Sequence, residues 1–504
     1  MNTILIIDFG SQYTKLIAKL LRKNQVYCQI INPTDTLSLN NVDGVILSGG
    51  PSLVRDDDLN ILSPIIYFNI PILGICYGAQ LLATNYGLRI NNTYNREYGK
   101  THIDLGDDII FSDIPNQINV WMSHSNSIID TGCKLDIISR TQDNISAFKI
   151  NQKTYGLLFH PEVSHSEFGE TILNNFLFKI CLAKQKWTPD YIIPSIVNRI
   201  QEQVGDKRVI MAISGGVDST VAATLINLAI QDKLICLFVN NGLLRKNEYP
   251  TVLQYYQNHL QLNVVGVDES QLFLERLDGI NDPEEKRKII GRTFIDVFTK
   301  FITSFSEPIY YLGQGTIYSD VIESSVSSSR SHKIKSHHNV GGLPSDMKLQ
   351  LVEPLRDLFK DEVREIGRNL NIPSEIIDRH PFPGLGLAIR IIGDITIEKV
   401  KILQEADHIF INFLKDNNLY HKIWQAGAIL LSTKTVGVMG DERTYQYVLA
   451  LRAVISNEGM TAKCYPFDMT ILEKIATKIV NNINGINRVV YDISSKPPST
   501  IEWE

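Results

Sequence analysis

The sequence predicts an α/β protein with two parallel-sheet α/β domains and a small α+β domain. Short apolar runs that end in turn residues alternate with amphipathic stretches, first as TILIID, GVILSGG and PILGIC, and later as RVIMAIS, LICLFVNNG, LNVVGVD and PIYYLGQG. Such runs are typical of buried strands in a parallel sheet whose faces are covered by helices. Functional sites in these sheets lie at the carboxyl ends of the strands.

Two interruptions of this pattern predict the domain limits. The polar stretch KQKWTPD at 184–190 separates the first series of strands from the second. HPFPGLG at 380–386 contains two prolines and two glycines, which break regular structure. We therefore expect domains at residues 1–185, 190–380 and 381–504, the last with the strand-like runs AGAILLS and RVVYDIS.

Composition restricts the class of partner. The 504 residues carry a formal net charge of −6, without the basic excess that holds a nucleic-acid backbone. The sequence lacks a run of about 18 apolar residues that would span a bilayer, and its first residues do not resemble a signal peptide. Six dispersed cysteines form no CxxC pair, so a structural zinc site is not indicated. We expect a soluble cytoplasmic protein that binds neither nucleic acid nor membrane.

A cysteine follows the third predicted strand in a turn flanked by glycines. In PILGICYGAQLLA, Gly74 and Gly78 lie two residues on either side of Cys76. This is the cysteine form of a nucleophile elbow, in which the N-terminus of the next helix favours the thiolate. The backbone N–H of Tyr77 is placed to donate to an oxyanion. A lone cysteine at a strand end is usually a small core residue, but the glycine context favours a nucleophile.

The segment YGLLFHPEVSH supplies the base and the orienting group that a thiolate requires. In extended chain, residues i and i+2 point to the same side, so Glu162 can hold the ring of His160 against Cys76. The elbow and the order Cys, His, Glu resemble the class I glutamine amidotransferase family over residues 1–185. The resemblance implies that the cysteine attacks the side-chain amide of glutamine and releases ammonia.

The same resemblance assigns other parts of this site. SGGP at 48–51 matches the family's oxyanion strand, so Gly50 is the second expected oxyanion donor beside Tyr77. Gln80 and the segment WMSHSN at 121–126 are expected on the substrate side.

A second site is predicted at SGGVDS, between the strand RVIMAIS and the helical TVAATLINLAI. Two glycines, several hydroxyls and a helix N-terminus suit a phosphate group, and the lysine of a Walker A loop is absent. The alternative is a plain strand–helix turn capped by Asp218 and Ser219. The whole string resembles the pyrophosphate loop of ATP pyrophosphatases. That resemblance implies ATP binding by Ser214, Gly215, Gly216, Val217, Asp218, Ser219, Thr220 and Gly315.

Residues 323–345 form a polar stretch with Lys333, Lys335, His337 and His338. A mobile loop over the second site is one interpretation, and a plain surface loop is the other. Basic groups on such a loop would stabilise charge as pyrophosphate departs.

Four further segments extend a resemblance to the GMP synthase family over essentially the whole chain. They are GRTFIDVF at 291–298, GQGTIYSDVIES at 313–324, KTVGVMGDERTY at 434–445 and RVVYDISSKPPSTIEWE at 488–504. The resemblance implies a flavodoxin-like amidotransferase domain, an adenine-nucleotide α-hydrolase-like ATP pyrophosphatase domain and a small dimerisation domain, in a homodimer. It implies glutamine, ATP and xanthosine monophosphate (XMP) as substrates, with ammonia displacing AMP from adenylated XMP to give GMP.

The residue roles carried over with this resemblance are as follows. XMP binding is implied for Arg292, Gln425, Arg488, Lys496, Ile501 and Glu502. Lys335 is the expected catalytic cation. Asp320 and Glu323 are expected near the adenylate or its Mg²⁺, the cofactor that accompanies ATP, and no organic prosthetic group is expected.

Three motifs depart from the family's pattern. Ser125 and Asn126 occupy the last two positions of the usual SHGD. Asn240 replaces the aspartate of the usual FVDNG, and Leu385 interrupts the usual PFPGPG. The change at 126 removes a charge that would hold the amino group of glutamine.

Other functions fit the sequence less well. An asparagine synthetase requires an N-terminal cysteine, whereas Asn2 follows Met1 here. The glutaminase fused to NAD synthetase is of a different, nitrilase-like type. A nucleotide-binding scaffold without activity would not require an intact Cys76, His160 and Glu162.

Overall fold

The computed structural model describes residues 2–50, 53–129, 135–142, 144–321, 349–456 and 459–504. The chain divides into two compact units, Met1–Ile192 and Ile193–Glu504. None of the helices described is long and apolar enough to cross a lipid bilayer.

The first unit, where described, contains one sheet of nine strands: β1 (Thr3–Ile7), β2 (Cys28–Ile31), β3 (Val42–Leu47), β4 (Ile72–Ile75), β5 (Arg89–Leu105), β6 (Gln117–Ile129), β7 (Asp136–Arg140), β8 (Ile145–Asn151) and β9 (Thr154–Leu157). Their order is β2-β1-β3-β4-β9-β8-β7-β5-β6. In this order, the strands from β2 to β9 pair in parallel, and β8, β7, β5 and β6 are added by antiparallel pairing. Its helices are α1 (Thr14–Lys23), α2 (Asp56–Leu59), α3 (Leu62–Tyr67), α4 (Tyr77–Asn85) and α5 (Gly169–Asn174), the last continued by a π-helical turn at Asn175–Ile180.

The predicted strands of the first third are confirmed as β1, β3 and β4, which are parallel neighbours. The expectation of a parallel sheet was incomplete, because β5 to β8 add an antiparallel part. Along most of β6, buried residues alternate with partly exposed ones. This alternation is typical of an antiparallel strand with one solvated face, and it leaves no continuous apolar run in the sequence.

A parallel sheet organises the first part of the second unit. Its strands are β10 (Val209–Ile213), β11 (Leu234–Asn240), β12 (Val264–Asp268), β13 (Tyr311–Gly313) and β14 (Gln350–Val352). They follow the order β12-β11-β10-β13-β14 and all pair in parallel, as predicted. The accompanying helices are α6 (Pro189–Val204), α7 (Val217–Ile230), α8 (Glu248–Asn258), α9 (Ser270–Leu277), α10 (Pro283–Thr303), α11 (Lys360–Asn369) and α12 (Ser374–Ile377).

The second unit continues into a smaller sheet. Its strands are β15 (Gln425–Met439), β16 (Glu442–Ile455), β17 (Lys463–Cys464) and β18 (Ile486–Tyr491), with helices α13 (Ile397–Asp416) and α14 (Met469–Asn482). β16 pairs antiparallel with β15 and β17 and parallel with β18. The predicted strands AGAILLS and RVVYDIS are confirmed within β15 and β18, and the α/β fold class is confirmed as a whole.

One hydrophobic core joins the two sheets of this unit. Ile210 and Leu237 of the parallel sheet belong to the same buried cluster as Leu449 of β16. At the turn after the predicted limit of 380, a Cβ on Gly386 would lie 2.3 Å from the carbonyl oxygen of Leu243. Only glycine allows this close approach, and the core therefore continues across the predicted limit.

Candidate active sites

Cys76 lies at a sharp turn between β4 and α4. Its φ is 50° and its ψ is −102°, an unusual conformation for a residue with a side chain. The flanking glycines make the turn possible, because a Cβ on Gly78 would lie 2.4 Å from the carbonyl oxygen of Leu47, and one on Gly74 would lie 2.6 Å from the backbone of Gly78. The turn holds the thiol at the start of a helix, as an elbow requires.

His160 and Glu162 complete the constellation around the sulfur. His160 Nδ1 lies 2.7 Å from Glu162 Oε1, and the imidazole is close enough to Cys76 for the thiol to affect its pKa. Burial opposes protonation of the ring, but the hydrogen bonds and charges of Cys76 and Glu162 raise the pKa of His160 to about 10. A ring that holds a proton this readily suits a histidine that accepts the proton of a nucleophilic thiol.

The glycine segment that follows β3 lies close to the triad. A Cβ on Gly49 would lie 3.0 Å from Cε1 of His160, and one on Gly50 would lie 3.1 Å from Cγ of Tyr77. Tyr77 is the first residue of α4, where N–H groups have no acceptor within the helix. The two expected oxyanion donors are thus neighbours beside the triad.

Strand β6 forms another side of this site. The carbonyl oxygen of Ser123 lies 3.8 Å from Cys76 Sγ. His124 and Asn126, which alternate with Ser123 along the strand, are buried, and His124 Nε2 lies 3.3 Å from Glu97 Oε2. Oδ1 of Asn126 is one of the buried oxygens without a hydrogen bond in the described part of the chain.

Ser166 is a site residue that the sequence analysis missed. Its hydroxyl donates to the carbonyl oxygen of His160 at 2.6 Å and accepts the N–H of Trp121 at 2.9 Å. The N–H of His160 in turn donates to the carbonyl oxygen of Trp121 at 3.0 Å. Ser166 therefore ties the histidine loop to β6, and a serine six residues after the histidine was the only signal in the sequence.

The second predicted site begins where β10 ends. Gly215 has φ +79°, which favours glycine, and α7 starts at Val217. Ser219 Oγ accepts the N–H of Ser214 at 3.2 Å, so a side chain of the first helical turn holds the loop. The N-cap of α7 is Gly216, which has no side chain to cap the helix.

Two other predicted loop residues differ in their placement. A Cβ on Gly315 would lie 3.1 Å from the backbone carbon of Asp218, so Gly315 packs against the start of α7. Thr220 is fully buried, and its hydroxyl contacts the carbonyl oxygen of Gly216 and the hydroxyl of Tyr256, each at 2.8 Å. The hydroxyl of Thr220 thus supports the loop from beneath, and the role of Thr220 in ATP binding stays a prediction.

The residues predicted to bind XMP are only partly brought together. Gln425 Nε2 donates to Glu502 Oε1 at 2.9 Å, and Ile501 lies beside them in a small cavity. Lys496 Nζ donates to the carbonyl oxygen of Gly459 at 2.7 Å, and Arg488 Nε to Thr435 Oγ1 at 3.3 Å. Arg292 is exposed on α10.

The structure describes only some of the residues that are predicted to bind the metal or to form the mobile loop. Asp320 Oδ2 accepts the N–H of Ile317 at 3.1 Å. Glu323, Lys333, Lys335, His337 and His338 lie outside the described residues.

Known proteins resemble this chain over its whole length. Family models match in three places: glutamine amidotransferase class-I at residues 5–180, NAD synthase at 190–278 and the GMP synthase C terminal domain at 412–503. A glutamine-hydrolysing GMP synthase of Christiangramia forsetii is 52% identical over 516 residues, covering 100% of both chains. That of Cytophaga hutchinsonii is 50% identical over 508 residues, covering 99% of each. A Thermotoga maritima glutamine amidotransferase of known structure is 18% identical, with a TM-score of 0.30, and covers 41% of this chain and 86% of that one.

Fold, sites and family models define a class I glutamine amidotransferase joined to an ATP pyrophosphatase unit of the NAD synthase type. Its relatives share about half of their residues with it over their full length. The chain belongs to the family of glutamine-hydrolysing GMP synthases. The family predicted from the motifs is confirmed, together with the enzyme class.

Proposed function

We propose that Cys76 is the nucleophile with which this member of the family hydrolyses glutamine for the synthesis of GMP from XMP. In the overall reaction ATP adenylates XMP, and ammonia displaces AMP to give GMP. Glutamate, AMP and pyrophosphate are the other products.

The first half of the reaction follows from the triad. His160 takes the proton of the Cys76 thiol, and the sulfur attacks the amide carbon of glutamine. The N–H groups of Gly50 and Tyr77 stabilise the oxyanion, and the proton passes from His160 to the departing ammonia. Water then cleaves the thioester to give glutamate. The observation that carries this proposal is Cys76 at a helix start, beside a histidine that Glu162 holds at 2.7 Å.

The second half belongs to the loop after β10. Its glycines, its serine hydroxyls and the N-terminus of α7 are suited to the pyrophosphate part of ATP. Gln425, Ile501 and Glu502 are proposed to bind XMP together with Arg292, Arg488 and Lys496. Lys335 is proposed to stabilise charge as pyrophosphate departs.

Mg²⁺ is proposed to accompany ATP. In nucleotide sites it is held mainly by phosphates and water, with one or two carboxylates from the protein. Asp218 is a candidate, since its Oδ1 is buried without a hydrogen bond in the described part of the chain, while its Oδ2 pairs with Lys360. Asp320 and Glu323 are the other proposed carboxylates, and the ion would neutralise charge on the phosphates.

We also propose that the enzyme is a cytoplasmic homodimer. Val436 of β15 and Tyr445 of β16 are opposed in the sheet register and are 59% and 67% exposed. A second copy would cover this apolar surface. Light scattering after size exclusion should give twice the chain mass, and Val436→Glu should shift it towards the monomer.

The function is tested by XMP-dependent AMP release with two nitrogen donors. Cys76→Ala should lose activity with glutamine but keep it with ammonium chloride. Cys464→Ala, a change at a free cysteine of the second unit, is the matched control and should keep both activities. If Cys76→Ala loses both, or keeps glutamine use, the proposal is wrong.

A further inference from the structure

A row of six alternating charges runs through the interior of the second unit, from the loop after β10 to the segment that carries Glu502. It begins at Arg379, whose Nη1 donates to the carbonyl oxygen of Gly215 at 3.4 Å. Arg379 Nη2 also lies 2.5 Å from Glu248 Oε1. The other oxygen of Glu248 accepts the backbone N–H of Arg245 at 2.9 Å, so this step of the row is a hydrogen bond and not an ion pair. The loop is thus fastened to an ion pair through its own glycine.

The row continues through a single buried carboxylate. Asp407 Oδ2 lies 3.2 Å from Arg245 Nε, and its Oδ1 lies 3.5 Å from Arg390 Nη1. Arg390 donates two hydrogen bonds to the carboxylate of Glu502, of 3.0 and 2.7 Å. Asp407 is 1% exposed and Arg390 is 2% exposed, so this link is shielded from solvent.

An aromatic ring holds the three arginines together. Phe382 lies in the HPFPGLG segment, to which the reaction assigns no role. The guanidinium carbons of Arg245, Arg379 and Arg390 lie 4.7, 5.4 and 5.3 Å from its ring centroid. Such contacts attract each cation to the ring face and fix the spacing between the cations.

The charges balance in a particular way. Arg379 with Glu248 is neutral, and so is Arg390 with Glu502. Arg245 and Asp407 form the neutral pair between them. The middle pair is therefore a link that connects two complete ion pairs, each of which touches one of the two proposed nucleotide sites.

We propose that Asp407, acting through Arg245 and Arg390, is a positioning residue that couples the occupancy of the phosphate loop to the placement of Glu502. The inference rests on the proposed function, because it takes the loop as the ATP site and Glu502 as part of the XMP site. A shift of Glu502 on nucleotide binding moves Arg390, and Asp407 transmits the movement to Arg245 and the loop. Buried, close-packed ion pairs have few alternative arrangements, so a change at one end alters the other.

Coupling is measured as the ratio of two dissociation constants. Calorimetric titration of XMP is carried out on the full chain, with and without Mg²⁺ and a non-hydrolysable α,β-methylene analogue of ATP. The wild type should bind XMP about fivefold or more tightly when the analogue is present.

The decisive variant is Asp407→Asn combined with Arg245→Gln. It removes the link but leaves no unpaired buried charge, so the fold should be retained. Each ligand alone should bind about as tightly as to the wild type, whereas the ratio should fall close to one. A merely structural role for Asp407 would change the separate affinities and leave the ratio unaltered.

Phe382→Leu gives a second measurement, which does not depend on the double variant folding. It changes no charge and should lower the ratio. The matched control is Glu405→Gln, two residues before Asp407 on α13, which breaks the exposed pair of Lys246 and Glu405 at 2.7 Å and should leave the ratio unchanged.

Two results would overturn the proposal. One is a ratio of one in the wild type, and the other is a wild-type ratio in both the double variant and Phe382→Leu. Glu502→Gln separates these from failure of the proposed function. If this variant binds XMP as tightly as the wild type, the site assignment itself is wrong.

Discussion

Asn240 Nδ2 donates to Asp268 Oδ2 at 2.9 Å, where β11 and β12 end side by side. The GMP synthase motif usually has aspartate at the position of Asn240. Burial works against the charge of Asp268, but hydrogen bonds from Ser270 and Asn240 keep the pKa of the carboxyl below its usual value. In this chain an amide and a carboxylate therefore share a place where two acids would repel each other.

Asn240→Asp should destabilise the protein at pH 8, because it replaces a donor with a second negative charge. Asp268 is exposed, so the loss should not exceed about 1 kcal/mol. Two neighbouring carboxyls raise each other's pKa, so one of them becomes protonated on acidification. The difference in stability from the wild type should therefore be smaller at pH 5. Thermal unfolding at both pH values tests this, with the exposed Asn263→Asp as control. A difference that grows towards pH 5 would contradict the prediction.

Glu162→Gln should lower glutamine-dependent activity about tenfold or more, since the amide no longer stabilises a protonated His160. Activity with ammonium should remain, because the second unit is unchanged. Steady-state rates with each nitrogen donor measure the effect. An equal loss with both donors would mean that Glu162 acts on folding instead.

The raised pKa of His160 has a consequence for stability. A group whose pKa is higher in the folded state stabilises the fold fully below its unfolded pKa, about 6.5 for histidine. That contribution is lost as pH rises towards about 10. Calorimetric unfolding of the wild type should show this decline between pH 6.5 and 10. Glu162→Gln should be less stable at pH 6.5 and decline less; parallel curves would refute the assignment.

Ser166→Ala should weaken the contact between the histidine loop and β6. Leaving the N–H of Trp121 without its acceptor should cost about 1–2 kcal/mol. The turnover number of glutamine hydrolysis should fall while the KM for XMP stays constant. Ser112→Ala, which removes an exposed hydroxyl contact with Ile109, is the control and should leave both unchanged. A raised KM for XMP would argue against a local effect.

Gly215→Ala and Gly386→Ala should differ sharply in their effects on the stability of the fold. A Cβ on Gly215 finds no atom closer than 3.5 Å, so the cost is mainly that of its positive φ, about 1–2 kcal/mol. The KM for ATP should rise while the fold persists. On Gly386 the same atom meets the backbone of Leu243, so soluble yield and melting temperature should fall. Equal melting temperatures for the two variants would contradict this contrast.

The sequence allowed prediction wherever the signal was local. Cys76 with its glycines, and His160 with Glu162, lie within short motifs whose geometry follows from the chain itself. The apolar strands were predicted for the same reason. β5 and β6 were missed because neither consists of a continuous apolar run.

The remaining contacts join residues far apart in the chain. Arg379 meets Gly215 across 164 positions, and Arg390 meets Glu502 across 112. No spacing or periodicity encodes such pairs, since only the folded chain brings their members together. Ser166 lies near His160 in sequence and far from Trp121. A serine at this position has no distinguishing pattern.

The balance of charges around Phe382 restricts how the protein can evolve. Three cations and three anions sum to zero in a mostly buried region, so neutralising any one leaves its neighbour unpaired. Descendant sequences should therefore exchange these positions two at a time, an acid with a base. The interior of the second unit would carry a record of paired replacements, while its surface charges drift singly.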